Sequence, residues 1–211
     1  MPDEPTTRSV KISADERTGW SSERPRRDGS PPRPPDVSVR SRVLSPSDQL
    51  RYSPGSLLMI VSGSAPDRDR FAKGLIDSRS LLSLGKVREL LAGRTPEEEI
   101  AERAQEVLDA AVTKRMEAGE TVVVTAEGLD AGEREHYVRI AARAKRPRHL
   151  ILVEANRADV QGEDRAALND LRRRLDAGEL GQEGFQTVLR IGGDSVSELK
   201  RIVFRPPPRD D

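Results

Sequence analysis

The chain has 211 residues, with 36 basic and 36 acidic side chains, two histidines, no cysteine, 35% apolar and 3% aromatic content, and a mean hydropathy of -0.65. No run approaches the ~18 consecutive apolar residues of a membrane span, and the absence of cysteine removes disulfides, thiolate metal sites and cysteine nucleophiles together. With only His136 and His149 as imidazoles and a formal net charge of zero, zinc chemistry, histidine triads and wholesale coating of nucleic acid are all poor fits, while a local basic patch is not.

Residues 1–50 hold eight of the fifteen prolines, including Ser30-Pro-Pro-Arg-Pro-Pro35, and their apolar residues are sparse and aperiodic. Such a segment buries too little surface to offset its ordering entropy, so the composition predicts a disordered Pro/Arg/Ser-rich leader. Arg26-Arg27 is followed by Asp28-Gly-Ser-Pro-Pro where an export signal needs an apolar stretch, so it predicts no signal peptide. The leader's charges are mixed in sign and read as solvated. A short partner-binding motif around Val37-Ser-Val39 or Val43-Leu44, or an anchoring role for Trp20, is the sharper alternative.

From Ser53 the pattern changes to strands alternating with helices. Ser56–Ser62, Glu120–Thr125, His149–Glu154 and Phe185–Ile191 are short apolar runs of the kind buried on both faces of a sheet. Thr95 as N-cap, Pro96 at the first helical position and Glu97, Glu98 and Glu99 in the first turn open a helix, in which Ile100, Ala104, Val107, Leu108, Ala111 and Met116 recur until Gly119 stops it. Asp130 caps a second helix running to Ala144, and a third spans Gly162 to Ala177 with Leu168, Leu171 and Leu175 on one face. Alternation of this kind predicts parallel pairing through right-handed crossovers: an α/β three-layer sandwich with a mostly parallel sheet over residues 51–205, and a flexible end at 206–211.

In open α/β sheets ligands bind beyond the carboxyl ends of the strands, so the loops after Val61, Val124, Val153 and Ile191 are where chemistry is expected. The first reads Ser62-Gly-Ser-Ala-Pro-Asp-Arg-Asp-Arg70 and leads into Phe71-Ala-Lys-Gly-Leu75, the strand, small-residue loop and helix layout of a phosphate-binding loop. Residues 55–205 resemble the P-loop kinases of the polynucleotide kinase type. Phe71-Ala72 matches the family's segment after its Walker A loop. Leu108–Val124 looks like the helix ending in Arg and Gly before the third strand, and Thr125-Ala-Glu-Gly128 stands at the family's Asp-Ala-Thr-Asn motif. Val87–Gly93 resembles the segment after the catalytic aspartate, Arg134–Ala144 the helix after that motif, and Glu183–Val188 the final strand.

The resemblance implies a P-loop NTPase-like fold and assigns Ser62, Gly63, Ser64, Arg68, Asp69 and Arg70 to the degenerate nucleotide-binding loop, with Thr125, Glu127 and Asp194 as further candidates in the cleft. It also implies departures from a working site. Arg68 replaces the phosphate lysine and Asp69 the magnesium-binding hydroxyl, Pro66 lacks an N–H, and Asp67 fills a glycine position. Gly85 stands where the family places its general base, and the arginine-rich lid shrinks to Ala155–Gln161 with Arg157 as a remnant. The expectation is an inactive kinase-like domain with no catalytic residues, no metal and no cofactor, binding a protein partner or, as the second choice, a nucleic acid, in the cytoplasm. Two alternatives stand beside it. One is an active ATP- and magnesium-dependent kinase using Arg68 and Glu127, and the other is an assembly protein retaining only the α/β core. Arg172-Arg-Arg174 reads as a charged solvent face rather than a nucleic-acid contact, and both histidines read as surface or satisfied groups.

Overall fold

The computed structural model describes residues 49–155, 158–162 and 164–206, the side chains of Asp194 and Ser195 apart. The leader expected over 1–50 lies outside the described residues up to position 48, as do 207–211. Gln49 and Leu50, the last two residues of that expected leader, are part of the first strand.

The strands are β1 (Gln49–Tyr52), β2 (Leu57–Ser62), β3 (Leu81–Ser83), β4 (Val122–Thr125), β5 (Arg148–Val153), β6 (Thr187–Ile191) and β7 (Arg201–Phe204). The helices are α1 (Ala65–Leu75), α2 (Leu84–Leu91), α3 (Glu97–Glu117), α4 (Ala131–Arg143), α5 (Asp164–Asp176) and the short α6 (Asp194–Glu198). Five strands form one parallel sheet in the order β3-β4-β2-β5-β6, while β1 and β7 pair with each other, also in parallel.

All six residues of β2 are buried, because the strand is central and covered on both faces. Its side chains alternate. Leu57, Met59 and Val61 enter one core with Val122, Val124, Leu150 and Leu152, beneath α2, α3, α4 and α5. Leu58 and Ile60 enter the other with Val123, Ile151 and Val153, beneath Phe71 and Ala72 of α1, Leu199, and Leu50 and Ile202 of the β1–β7 pair. The result is the expected three-layer α/β sandwich.

One helix start differs from expectation. Pro96, with ψ near 141°, holds the cap position of α3, and no side-chain cap bond is made, so Thr95 does not serve as the cap; the three glutamates still occupy the first turn. The buried stripe of α3 is Ala104, Leu108, Val112 and Met116, at four-residue steps, which leaves Val107 on the outside at 39% exposure. The cap position of α6 is Gly193, where the chain turns at φ 57°, a region that favours glycine. Asp130 caps α4 as expected, accepting from the Glu133 N–H at 3.2 Å, and Leu168, Leu171 and Leu175 are the buried face of α5.

Candidate functional site

The chain leaves β2 toward one face of the sheet and leaves β4 and β5 toward the other, so a crevice opens around the carboxyl end of β2. Gly63 and Ser64 alone join β2 to α1, so the segment Ser62–Arg70 is not a loop: Pro66, Asp67, Arg68, Asp69 and Arg70 are already helical. The reason is local. Ser64 accepts from the Asp67 N–H at 3.4 Å, proline sits in the first turn and Asp67 complements the helix dipole, and together these signals start a helix at Ala65.

That early start engages three of the donors an anion would seek. The Ser64 N–H donates to Ser62 Oγ at 3.2 Å, the Asp67 N–H goes to the cap, the Arg68 N–H goes to the Ser64 carbonyl at 3.0 Å, and Pro66 has none. Gly63 is packed from the opposite layer. A Cβ there would stand 3.0 Å from Leu168 Cδ2 and 3.3 Å from both methyls of Val160, so glycine lets α5 and the segment before it close over the β2–α1 junction.

Arg68 is the centre of the crevice, and it is 5% exposed. Its guanidinium donates to the Ala126 carbonyl and, at 2.9 Å, to Asp69 Oδ1, and it lies 3.7 Å from Glu127 Oε1. Asp69, which stands at the position of the magnesium-binding hydroxyl, neutralises Arg68. Glu127 is held on its other side by Arg88 at 2.8 Å, while its N–H and that of Gly128 donate to the Glu133 carboxylate at 3.0 and 3.3 Å. A chain of charges, Asp69–Arg68–Glu127–Arg88, thus ties α1 to the β4–α4 connection and on to α2 across the carboxyl edge of the sheet. Thr125 lies beneath it, 2% exposed, with its Oγ1 unpartnered.

Ser62, Gly63, Ser64, Arg68, Asp69, Thr125 and Glu127 are therefore brought together. Arg70 is not: it points outward, 78% exposed, and pairs with Asp67 at 2.9 Å. It lines a separate open cleft of about 450 Å³ between α1 and α6, with Phe71, Gly74, Glu154 and Val196. Asp194 starts α6, but its side chain is outside the description, and Arg157 lies outside the described residues. Gly85 falls in the first turn of α2, exposed, with nothing within 4 Å of where a Cβ would stand.

Two further charge clusters escape sequence reasoning. Glu154, after β5, is gripped by Arg172 and Arg190; burial alone would raise its carboxyl, but these hydrogen bonds outweigh it and hold the group below its usual range. Arg134 meets Glu183 bidentately at 2.9 and 2.9 Å, with both side chains at most 3% exposed, and also donates to the Leu129 and Asp130 carbonyls. Arg174 joins Glu183 at 2.7 Å. Arg172-Arg-Arg174 is thus not a plain solvent face, since only Arg173, paired with Asp170, stays outside. His149 corrects the expectation of a surface or satisfied histidine. It is buried, bonded through Nδ1 to Thr187 Oγ1 at 2.8 Å with Nε2 unpartnered, and burial, aided by Arg148, pushes its pKa down to about 4. His136 Nε2 lies 3.0 Å from Asp109 Oδ2 without hydrogen-bond geometry.

Among the described residues no cluster of three or more His, Asp or Glu is suited to a metal, and no helix is long and apolar enough to cross a membrane. No protein-family model matches the chain, and no curated protein matches it. Among solved structures, a Chloroflexus aurantiacus protein described as a kinase candidate aligns over 66% of this chain and 86% of its own, at 13% identity and a TM-score of 0.42, too slight a likeness to bear on activity.

Proposed function

We propose that this chain is an α/β module that does not transfer phosphoryl groups and that works by binding a partner protein. Arg68 carries that reading. It stands where a phosphate-binding loop of the polynucleotide kinase type has its lysine, yet it is buried and spent on a backbone carbonyl, Asp69 and Glu127. A phosphate would have to compete with two carboxylates already at the guanidinium and with a helix start at which the Ser64, Asp67 and Arg68 N–H groups are engaged. An active kinase built on Arg68 and Glu127 finds no support in this geometry, because the two neutralise each other.

Differential scanning with millimolar ATP and magnesium tests the proposal. A nucleotide at 100 times its dissociation constant would stabilise the fold by about 2.7 kcal/mol, a shift a melting curve resolves readily. No shift and no turnover is the expected outcome; magnesium-dependent phosphoryl transfer by the unmodified protein would overturn it.

A further inference from the structure

The β1–β7 ribbon takes no part in the crevice, yet its outer side has a chemistry of its own. Strand alternation sends Leu50 and Ile202 into the core and turns Arg51, Arg201 and Arg205 to solvent. Gln49 pairs with Arg201 and Arg51 with Val203, so the three arginine positions step along the ribbon about 7 Å apart in the strand direction, two residues at a time. Among the described residues none of the three has an acidic partner. Arg51 reaches only the Pro206 carbonyl at 3.3 Å, and Arg201 only Gln49 Oε1 at 2.7 Å. Several surface arginines elsewhere, among them Arg70, Arg88, Arg103 and Arg139, are matched by carboxylates.

The backbone of β1 has an open side as well. The Arg205 N–H donates to the Tyr52 carbonyl at 3.0 Å. In a parallel ladder each residue directs its N–H and C=O to the same side, and successive residues alternate. Tyr52 and Leu50 therefore serve β7, while Gln49 and Arg51 offer their groups to the other edge, where no strand pairs among the described residues.

We propose that this edge of β1 receives an acidic extended segment of a partner protein as a third strand, its alternate carboxylates lying beside Arg51 and within the positive field of Arg201 and Arg205. Backbone pairing would supply affinity and the arginines would select for acidic side chains. A second copy of this strand is disfavoured, because it would set arginine against arginine. A single-stranded nucleic acid would need a stacking platform, but Tyr52 and Phe204 are packed toward the core, their rings 6.0 Å apart, and the chain carries no excess positive charge. The proposal deepens the interaction-module reading and rests on it only for the existence of a protein partner.

The test uses the full chain and a fluorescent peptide alternating glutamate with valine, followed by anisotropy at low and high salt. Binding should weaken roughly tenfold on combining Arg51→Glu with Arg201→Glu, and by a similar factor when alternate peptide nitrogens are methylated, a change that leaves the protein untouched. Both arginines are exposed, so the double variant should melt with the parent. Equal binding of a lysine–valine peptide, indifference to both changes, or no binding at all would overturn the proposal. So would an oligonucleotide that binds through these arginines when the peptide does not. Turnover with ATP would sink the interaction-module reading and leave the peptide titration standing; a failed titration without turnover would sink the edge alone.

Discussion

Arg68 and Arg134 are both buried arginines, and their surroundings differ in kind. Arg134 is saturated: two parallel bonds to Glu183 and two backbone carbonyls. Arg68 has one buried carbonyl, an adjacent Asp69 that is 42% exposed and a Glu127 at 3.7 Å that is shared with Arg88. Two buried cations of the same type can therefore have unequal roles. Arg134 locks α4 to the turn before β6, whereas Arg68 fills a crevice that an α/β sheet otherwise leaves open to ligands.

The sharpest way to test this contrast is Arg134→Met. It strands Glu183 in the core with Arg174 as its only cation, and should cost about 3 kcal/mol, the low end for breaking a buried pair, because Arg174 remains. Urea denaturation would read the loss, and a cost no larger than that of Arg68→Met would erase the distinction between the two arginines.

His149 extends the comparison to a buried group with no acid to meet it. Its folded pKa of about 4 lies below the ordinary 6.5, so its contribution is complete above pH 6.5 and is lost as pH falls toward 4. The loss should approach about 3 kcal/mol, by the linkage of 1.36 kcal/mol per pKa unit. His149→Phe should flatten the melting temperature across that window, and an unchanged pH slope would show that the imidazole is already charged or solvated.

Arg68→Met should cost less, about 1–3 kcal/mol, since it leaves one buried carbonyl unpaired while Glu127 keeps Arg88 and Asp69 turns to water. Smaller still is Arg88→Gln at the exposed end of the chain of charges, expected within about 1 kcal/mol because both partners are more than a third exposed. An Arg88 effect equal to that of Arg68 would mean the network acts as one unit.

The three central strands and α3, α4 and α5 were legible in the sequence, because β2, β4 and β5 are continuous apolar runs, α4 carries an aspartate cap, and α3 and α5 carry buried stripes. β1 and β7 were not. Gln-Leu-Arg-Tyr and Arg-Ile-Val-Phe are too short for alternation to stand out, and their pairing joins opposite ends of the domain. The crevice was found from the general rule about strand ends, but what occupies it was hidden. Arg68 finds Ala126 across 58 positions and Glu127 finds Arg88 across 39, distances that only the strand order brings together. The boundary of α1 was missed for a different reason: Ser64-Ala-Pro-Asp67 carries helix-start signals that small-residue composition obscures.

The β1–β7 ribbon also sets an order of events. The bond between Arg201 and Gln49 spans 152 positions, so closing it does nothing to nucleate the fold and gains its reward only after the five-stranded sheet has brought the two segments near. The ribbon is then the last element to form and the first to open. In native-state hydrogen exchange its amides should lose protection while those of β2 still report global unfolding, and Leu50 and Ile202 would be the first core side chains that water reaches.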